Sequence, residues 1–428
     1  MIFGFNGNTR MKKLAGALVV AFAAASSAHA AIQVGGGATL PAVGYVGDVT
    51  HRLNASPDAN SLLGAYKSVT GTSASYCQTG SGAGKNVLAG VTSVQGQCAD
   101  SPSPTDFGAA NAAVNRTTLT QPNFAGSDSP LSATDYSNYV SNRGSSRPLQ
   151  FPAVAGGIAI VYRNDNLATQ LNLTTAQVCG IFNGSITTWS GLGVTVPAAG
   201  NTIKVVYRSD GSGTSFGFSN FLSANCSGTN AVHFKTDQAF ATAVSLYSLP
   251  GASWTGQSGN ANVVNTVVNS ATDGYIGYAE AANALAVAGN VALVNGKDPA
   301  ADLGDATTHK ITINSSDVAY NNAITGVNPN TGRPTFAAIA GAPSTSCIAL
   351  VKPDSYATPA SGYPIVAVSY LLGNSQGNGT DAADVRKLLG APYNSSIVAA
   401  TGTIGAGTGL AFLTAPITQS QIDGCVIN

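Results

Sequence analysis

From about Ile32 the chain repeats one theme: a short β-type run, a loop rich in glycine and serine, then a stretch with the apolar spacing of a helix. A chain that alternates in this way must bury strands between helices. The expected fold class is therefore α/β, with mainly parallel strands in layers. Phe151 to Tyr162 reads as a strand broken at Gly156-Gly157, and Ile203 to Tyr207 as a short strand between loops. Asn262 to Asn269 and Ala279 to Val287 read as helices, and Tyr363 to Leu372 as a buried strand. Gly289 to Thr345 is rich in Asn, Asp, Gly and Thr and reads as irregular, or as an insertion. No internal repeat is visible. The 428 residues exceed one ordinary core and suffice for two lobes. Crossings near Pro152 and Gly362 would give one lobe of residues 31–152 with 362–428, and a second of 153–361.

Charge narrows the partners. Charged residues are only 9% of the chain, and 19 Lys+Arg balance 19 Asp+Glu. With no basic excess, neither nucleic acid nor an anionic membrane surface is an expected partner. Any anion site has to be built locally, from backbone amides and a few side chains. Glu280 is the only glutamate, and nothing in the sequence explains its isolation.

The N-terminus reads as an export signal. Lys12 and Lys13 precede an apolar run from Leu14 to Ala25, and Ser26-Ser27-Ala28-His29-Ala30 supplies a small-x-small cleavage pattern. Residues 1–30 are thus the expected signal peptide, and Met11 is an alternative start. A membrane anchor is the competing reading, but the run is short for a span and a cleavage site follows it. No cysteine precedes Cys77, so no lipid attachment or membrane anchor is expected. The expected location is periplasmic or secreted. Six cysteines fit that compartment, with no CxxC pair and no zinc spacing. Sequence allows fifteen connectivities; proximity favours Cys77–Cys98, Cys179–Cys226 and Cys347–Cys425.

Four loops carry candidate chemistry. Gly35 to Pro41 is a glycine run that lets backbone approach a ligand, with Thr39 as a hydroxyl donor before a helix start. Thr79 to Lys85 resembles a P-loop, but Thr79 stands where glycine is required and Asn86 where Ser/Thr is required; Ser81 and exposed amides remain. In Ala125 to Pro130, Asp128 precedes a helix start and would serve equally as a cap. Tyr207 to Thr214 follows a strand. Arg208 offers a planar fork for an oxyanion, Asp210 can hold it, and Ser212, Gly213 and Thr214 present donors at the next helix start.

Taken together, the segments GGGATLP (from Gly35), GSGAGK (from Gly80), AGSDSPLS (from Ala125), QFPAVAGGIAIVY (from Gln150), VCGIFNGSITTW (from Val178) and VVYRSDGSGTS (from Val205) resemble the phosphate-binding subunits of phosphate ABC transporters, especially their secreted DING-type relatives. The similarity runs from Gly35 to about Tyr278. It implies a two-lobed periplasmic-binding-protein type 2 fold with a central cleft enclosing one dehydrated phosphate. It also implies the ligands Thr39, Leu40 (by its amide), Ser81, Asp128, Arg208, Ser212, Gly213 and Thr214, supported by Asp210. In that scheme Asp128 accepts the proton of hydrogen phosphate, and sulfate, lacking one, is refused. Inorganic phosphate is the expected partner, a phosphate ABC permease a further one, and the protein is expected to be a monomer without cofactor or metal. The mature start, Ala31-Ile32-Gln33-Val34, lacks the four residues that name the DING group, and residues 289–345 form a longer stretch than the family pattern; both bear on docking to a permease.

Enzymatic readings compete. Gly213-Thr214-Ser215-Phe216-Gly217 fits the nucleophile-elbow pattern, with His233 and His309 downstream, but no motif announces the acid partner. A secreted phosphatase would use the same loops for an ester, yet His51, His233 and His309 are widely separated and lack metal spacing. A secreted adhesive or structural protein would leave the loops unexplained. A binding protein rather than an enzyme is the expectation.

Overall fold

The computed structural model describes residues 32–91, 116, 119, 121–341 and 346–428. The expected signal peptide and Cys98 lie outside the described residues, and so, therefore, does the Cys77–Cys98 pairing. The other two pairings are formed: Cys179 is bonded to Cys226, and Cys347 to Cys425. No helix among the described residues is long and apolar enough to cross a membrane.

One mixed sheet of twelve strands organises the chain. Its main path uses β1 (Gln33–Gly37), β2 (Leu53–Asn54), β3 (Ala74–Gln78), β4 (Phe124–Ser127), β5 (Pro148–Arg163), β6 (Lys204–Arg208), β7 (Trp254–Gln257), β8 (Tyr275–Glu280) and β9 (Val366–Asn374). The spatial order is β2-β3-β1-β4-β9-β5-β8-β6-β7. Each flank is parallel apart from the edge strand β2, which runs antiparallel to β3: β1 pairs with β3 and β4, and β6 pairs with β7 and β8. The centre is not. β9 runs antiparallel to both β4 and β5, and β5 antiparallel to β8. The expectation of mainly parallel strands is corrected here: two parallel flanks are joined through antiparallel strands.

Strand β5 is the join. Fifteen of its sixteen residues are buried, as expected of a strand covered on both faces. Pro148 to Gly157 pairs with β9, and Ile158 to Arg163 pairs with β8. The chain does not break at Gly156-Gly157; the strand continues and changes partner there. A bulge leaves Ala153 unpaired beside Pro152, where the missing proline N–H cannot donate to the ladder.

Of the stretch 289–345, the described residues 289–341 hold more regular structure than the composition led one to expect. Ile311–Thr312 extends the sheet beside Leu410–Thr414, and Asn322–Val327 forms a hairpin with Pro334–Ala338. The hairpin base bonds Ile324 N–H to the Leu131 carbonyl at 3.0 Å, and its tip accepts the Thr236 N–H on the Gly332 carbonyl at 2.9 Å.

Under the second flank lies an aromatic cluster. Phe182 meets Phe218 with ring centres 4.7 Å apart, and Tyr278 lies 4.6 Å from Phe218 and 4.7 Å from Phe240. Aromatic pairs at these spacings add stabilisation beyond the area they bury, and they pack beneath the second flank.

Candidate functional site

Six strand-to-helix turns converge at the carboxyl ends of the two parallel flanks, where open α/β sheets bind ligands. From the first flank come the turn after β1 leading to α1 (Ala42–Val46), the turn after β3 leading to α2 (Ser81–Leu88), and the end of β4. From the second come the turns into α3 (Gly213–Asn225), α4 (Asn260–Val268) and α5 (Ala281–Ala286).

All eight proposed ligands are buried here, with Arg208 among the largest fully buried side chains. On the first flank, the Ser81 hydroxyl accepts the Asp128 N–H at 3.0 Å and lies 3.2 Å from Asp128 Oδ2. Asp128 Oδ1 is buried and has no partner in the protein. On the second flank, Arg208 Nε donates to Asp210 Oδ1 at 2.7 Å, its Nη2 pairs with the other Asp210 oxygen, and Nη1 donates to Thr214 Oγ1 at 3.3 Å. The Ser212 hydroxyl caps α3 by accepting the Ser215 N–H at 3.1 Å.

The flanks touch. Gly82 N–H donates to the Gly211 carbonyl at 3.0 Å. Gly213 faces Asp128 and Ser81 so closely that a Cβ there would overlap both, which explains a glycine at this helix start. A cavity of about 190 Å³ opens beside the turns, lined by Thr39, Arg52, Gln78, Asp210, Asn260 and Asn265 among others.

Electrostatics separates the carboxyls. Burial pushes Asp128 up to about 7, against the pull of the nearby Ser369 hydroxyl, the Ser81 hydroxyl and the Arg208 charge. Burial also opposes the Asp210 charge, but Arg208 outweighs it and holds that carboxyl below the usual range. Glu280 is fully buried, and burial pushes it up to about 8 against three hydrogen bonds. It caps α5 by accepting the N–H of Ala282 at 2.8 Å and of Asn283 at 2.9 Å.

Four participants escaped the sequence reading. Asn260 bridges Thr39 and Thr214. Asn283 donates to Glu280 at 2.8 Å and to the Thr39 carbonyl at 3.3 Å. Glu280 ends β8 under the β1 turn. Tyr278 accepts the Arg208 N–H at 3.2 Å and lies 2.6 Å from the Ser215 hydroxyl. The neutral amides carry no motif; the one available signal was Gly259-Asn260 at a strand-to-helix turn, matching the other loops. The last contact also removes the esterase alternative: Ser215 is fully buried and its hydroxyl partner is a tyrosine where a nucleophile elbow needs histidine.

A family profile described as "PBP superfamily domain" matches residues 54–352, and the chain belongs to that superfamily. Its relatives include phosphate-binding proteins, a DING-type one among them. The chain is 31% identical over 294 residues to a phosphate-binding protein from an unknown prokaryotic organism, a match covering 64% of this chain and 72% of that one. It is 36% identical over 260 residues to Alkaline phosphatase L of Pseudomonas aeruginosa PAO1, covering 60% of this chain and 58% of that protein, less than two thirds of its length. Among solved structures, the high-affinity periplasmic phosphate-binding protein PfluDING, solved with phosphate at pH 8.5, matches with TM-score 0.59 and 26% identity over 92% of each chain. The phosphate-binding protein of Stenotrophomonas maltophilia matches with TM-score 0.58 and 26% identity over 93% of each.

Proposed function

We propose that this protein is an exported binding protein that takes up one hydrogen phosphate between the two flanks. The observation that carries the reading is the meeting of Ser81 and Asp128 with Arg208, Gly213 and Thr214, around a buried Asp128 oxygen that lacks a partner. Donors from the second flank suit phosphate oxygens, and the Asp128 carboxylate suits the phosphate proton. The phosphate-binding relatives support the same ligand.

In this reading Thr39, the Leu40 amide, Ser81, Asp128, Arg208, Ser212, Gly213 and Thr214 are the ligands, and Asp210 orients Arg208. Residues 1–30 direct export to the periplasm or beyond, and the mature monomer hands phosphate to an ABC permease. Two lobes, 31–152 with 362–428 and 153–361, close on the ion; X-ray scattering should show a smaller radius with phosphate, and an unchanged radius would count against closure.

A second reading, hydrolysis of phosphate esters, has the relatives named Alkaline phosphatase L in its favour. Among the described residues, no group of three or more His, Cys, Asp or Glu could hold a metal. Calorimetry with phosphate, sulfate and arsenate, run beside a phosphomonoester turnover assay, separates the readings. Saturable phosphate binding without turnover is expected; turnover abolished by Asp128→Asn would favour the enzyme.

A further inference from the structure

Asn260 sits at the first position of α4, after Gly259 in the left-handed region (φ 81°), and is fully buried. Its side chain touches three groups. The carbonyl oxygen accepts the Glu280 N–H at 3.2 Å. The amide nitrogen donates to Thr39 Oγ1 at 3.1 Å and to Thr214 Oγ1 at 3.1 Å. The first contact fixes the other two, because a backbone N–H can only donate and must face the amide oxygen. The NH₂ end is therefore turned to the hydroxyls, and it too can only donate.

We infer that Asn260 is a positioning residue for the anion site, which sets Thr39 and Thr214 as hydrogen-bond donors. A hydroxyl has one hydrogen and two lone pairs. Thr214 Oγ1 accepts from Asn260 and also from Arg208 Nη1 at 3.3 Å, so both lone pairs are taken and only its hydrogen is left to give. Thr39 Oγ1 accepts from Asn260 and likewise has its hydrogen to offer. The two threonines come from opposite flanks, on the β1 turn and at the start of α3. One amide thus turns a pair of ambivalent hydroxyls into a pair of donors, which suits the ionised oxygens of hydrogen phosphate and leaves its single proton to the Asp128 carboxylate. Through Glu280 N–H, the same amide is tied to the turn whose Asn283 holds the Thr39 carbonyl.

The inference rests on the anion-binding reading, and its test keeps the two apart. Asn260→Asp reverses the polarity: the carboxylate accepts from both hydroxyls and turns their hydrogens away. At pH 8 phosphate affinity should fall at least about tenfold, the scale of a lost hydrogen bond to a charged group. It should recover relative to the unaltered protein as pH is lowered to 5 and the new carboxyl protonates. Asn260→Ala should weaken binding with no pH change of its own, and that loss should shrink in a Thr39→Val/Thr214→Val background. An Asn260→Asp protein that follows the unaltered pH profile would overturn the inference. Should that variant fail to fold, the Ala and Val cycle decides: an Asn260→Ala loss of equal size in both backgrounds overturns it. Phosphate, sulfate and arsenate are titrated together. An unaltered protein that binds none of them overturns the anion reading and this inference with it; one that binds while the variants show no polarity effect overturns this inference alone.

Discussion

Asp128, on the first flank, is held by Ser81 at one oxygen and has no protein partner at the other. Asp210, on the second, is gripped by Arg208 through both oxygens. The same side chain is driven in opposite directions: burial lifts Asp128 to about 7, while the guanidinium keeps Asp210 below the usual range. The difference teaches what each flank supplies. In the proposed reading, the second flank offers permanent positive charge, oriented by a permanent counter-charge, for any oxyanion. In the same reading the first offers an acceptor whose protonation state responds to its surroundings, and so a means of telling one oxyanion from another.

The largest expected effect is on the second flank. Arg208→Ala removes a buried guanidinium and leaves the part-buried Asp210 carboxylate without its partner, a loss of up to about 3–5 kcal/mol on the scale of a buried pair broken at one member. Phosphate and sulfate should both weaken, by similar factors, in calorimetric titrations. A variant that loses phosphate and keeps sulfate would break the division of labour between the flanks.

Stability against pH should separate the flanks without any ligand. A carboxyl whose folded value lies above its unfolded one holds its proton more tightly when folded. For Asp128, up from 3.8 to about 7, and Glu280, up from 4.5 to about 8, that contribution is complete below about pH 4 and is lost as pH rises through 7 to 8. Asp210 runs the other way: its contribution is present above its ordinary range and is lost only in acid. The unfolding temperature in phosphate-free buffer should therefore fall between pH 5 and pH 8.5, and Asp128→Asn with Glu280→Gln should flatten the decline. A flat profile for the unaltered protein would contradict the burial assigned to these groups.

Much of this arrangement was legible in the sequence, because a strand, a glycine turn and a helix start leave a local signature. Gly35 to Leu40, Ser81, Asp128 and Arg208 to Thr214 all lie at such strand-to-helix junctions, and the four segments do meet in space. The central strand directions were not legible. β5 is buried along nearly its whole length, and a uniformly apolar run reads the same whether its neighbours are parallel or antiparallel. Asn260 and Asn283 were missed for another reason. They act through tertiary contacts spanning more than 200 residues, Thr39 to Asn260 and Thr39 to Asn283, and an uncharged amide in an asparagine-rich chain announces nothing. The hairpin at Asn322–Ala338 was hidden because its short strands are almost nowhere fully buried, so alternation of apolar and polar residues is weak there.

The central claim is that Asp128 accepts the phosphate proton, and one set of titrations tests it most directly: Asp128→Asn and the unaltered protein, each with phosphate and with sulfate. The account predicts that the unaltered protein prefers phosphate strongly. In the variant phosphate should weaken by about 1–3 kcal/mol, the scale of a buried acceptor lost, while sulfate weakens less or gains, because the repelling carboxylate is gone. The selectivity ratio must shrink. If Asp128→Asn leaves that ratio unchanged, Asp128 is a structural residue of the β4 turn and the assignment of proton acceptance to it is wrong.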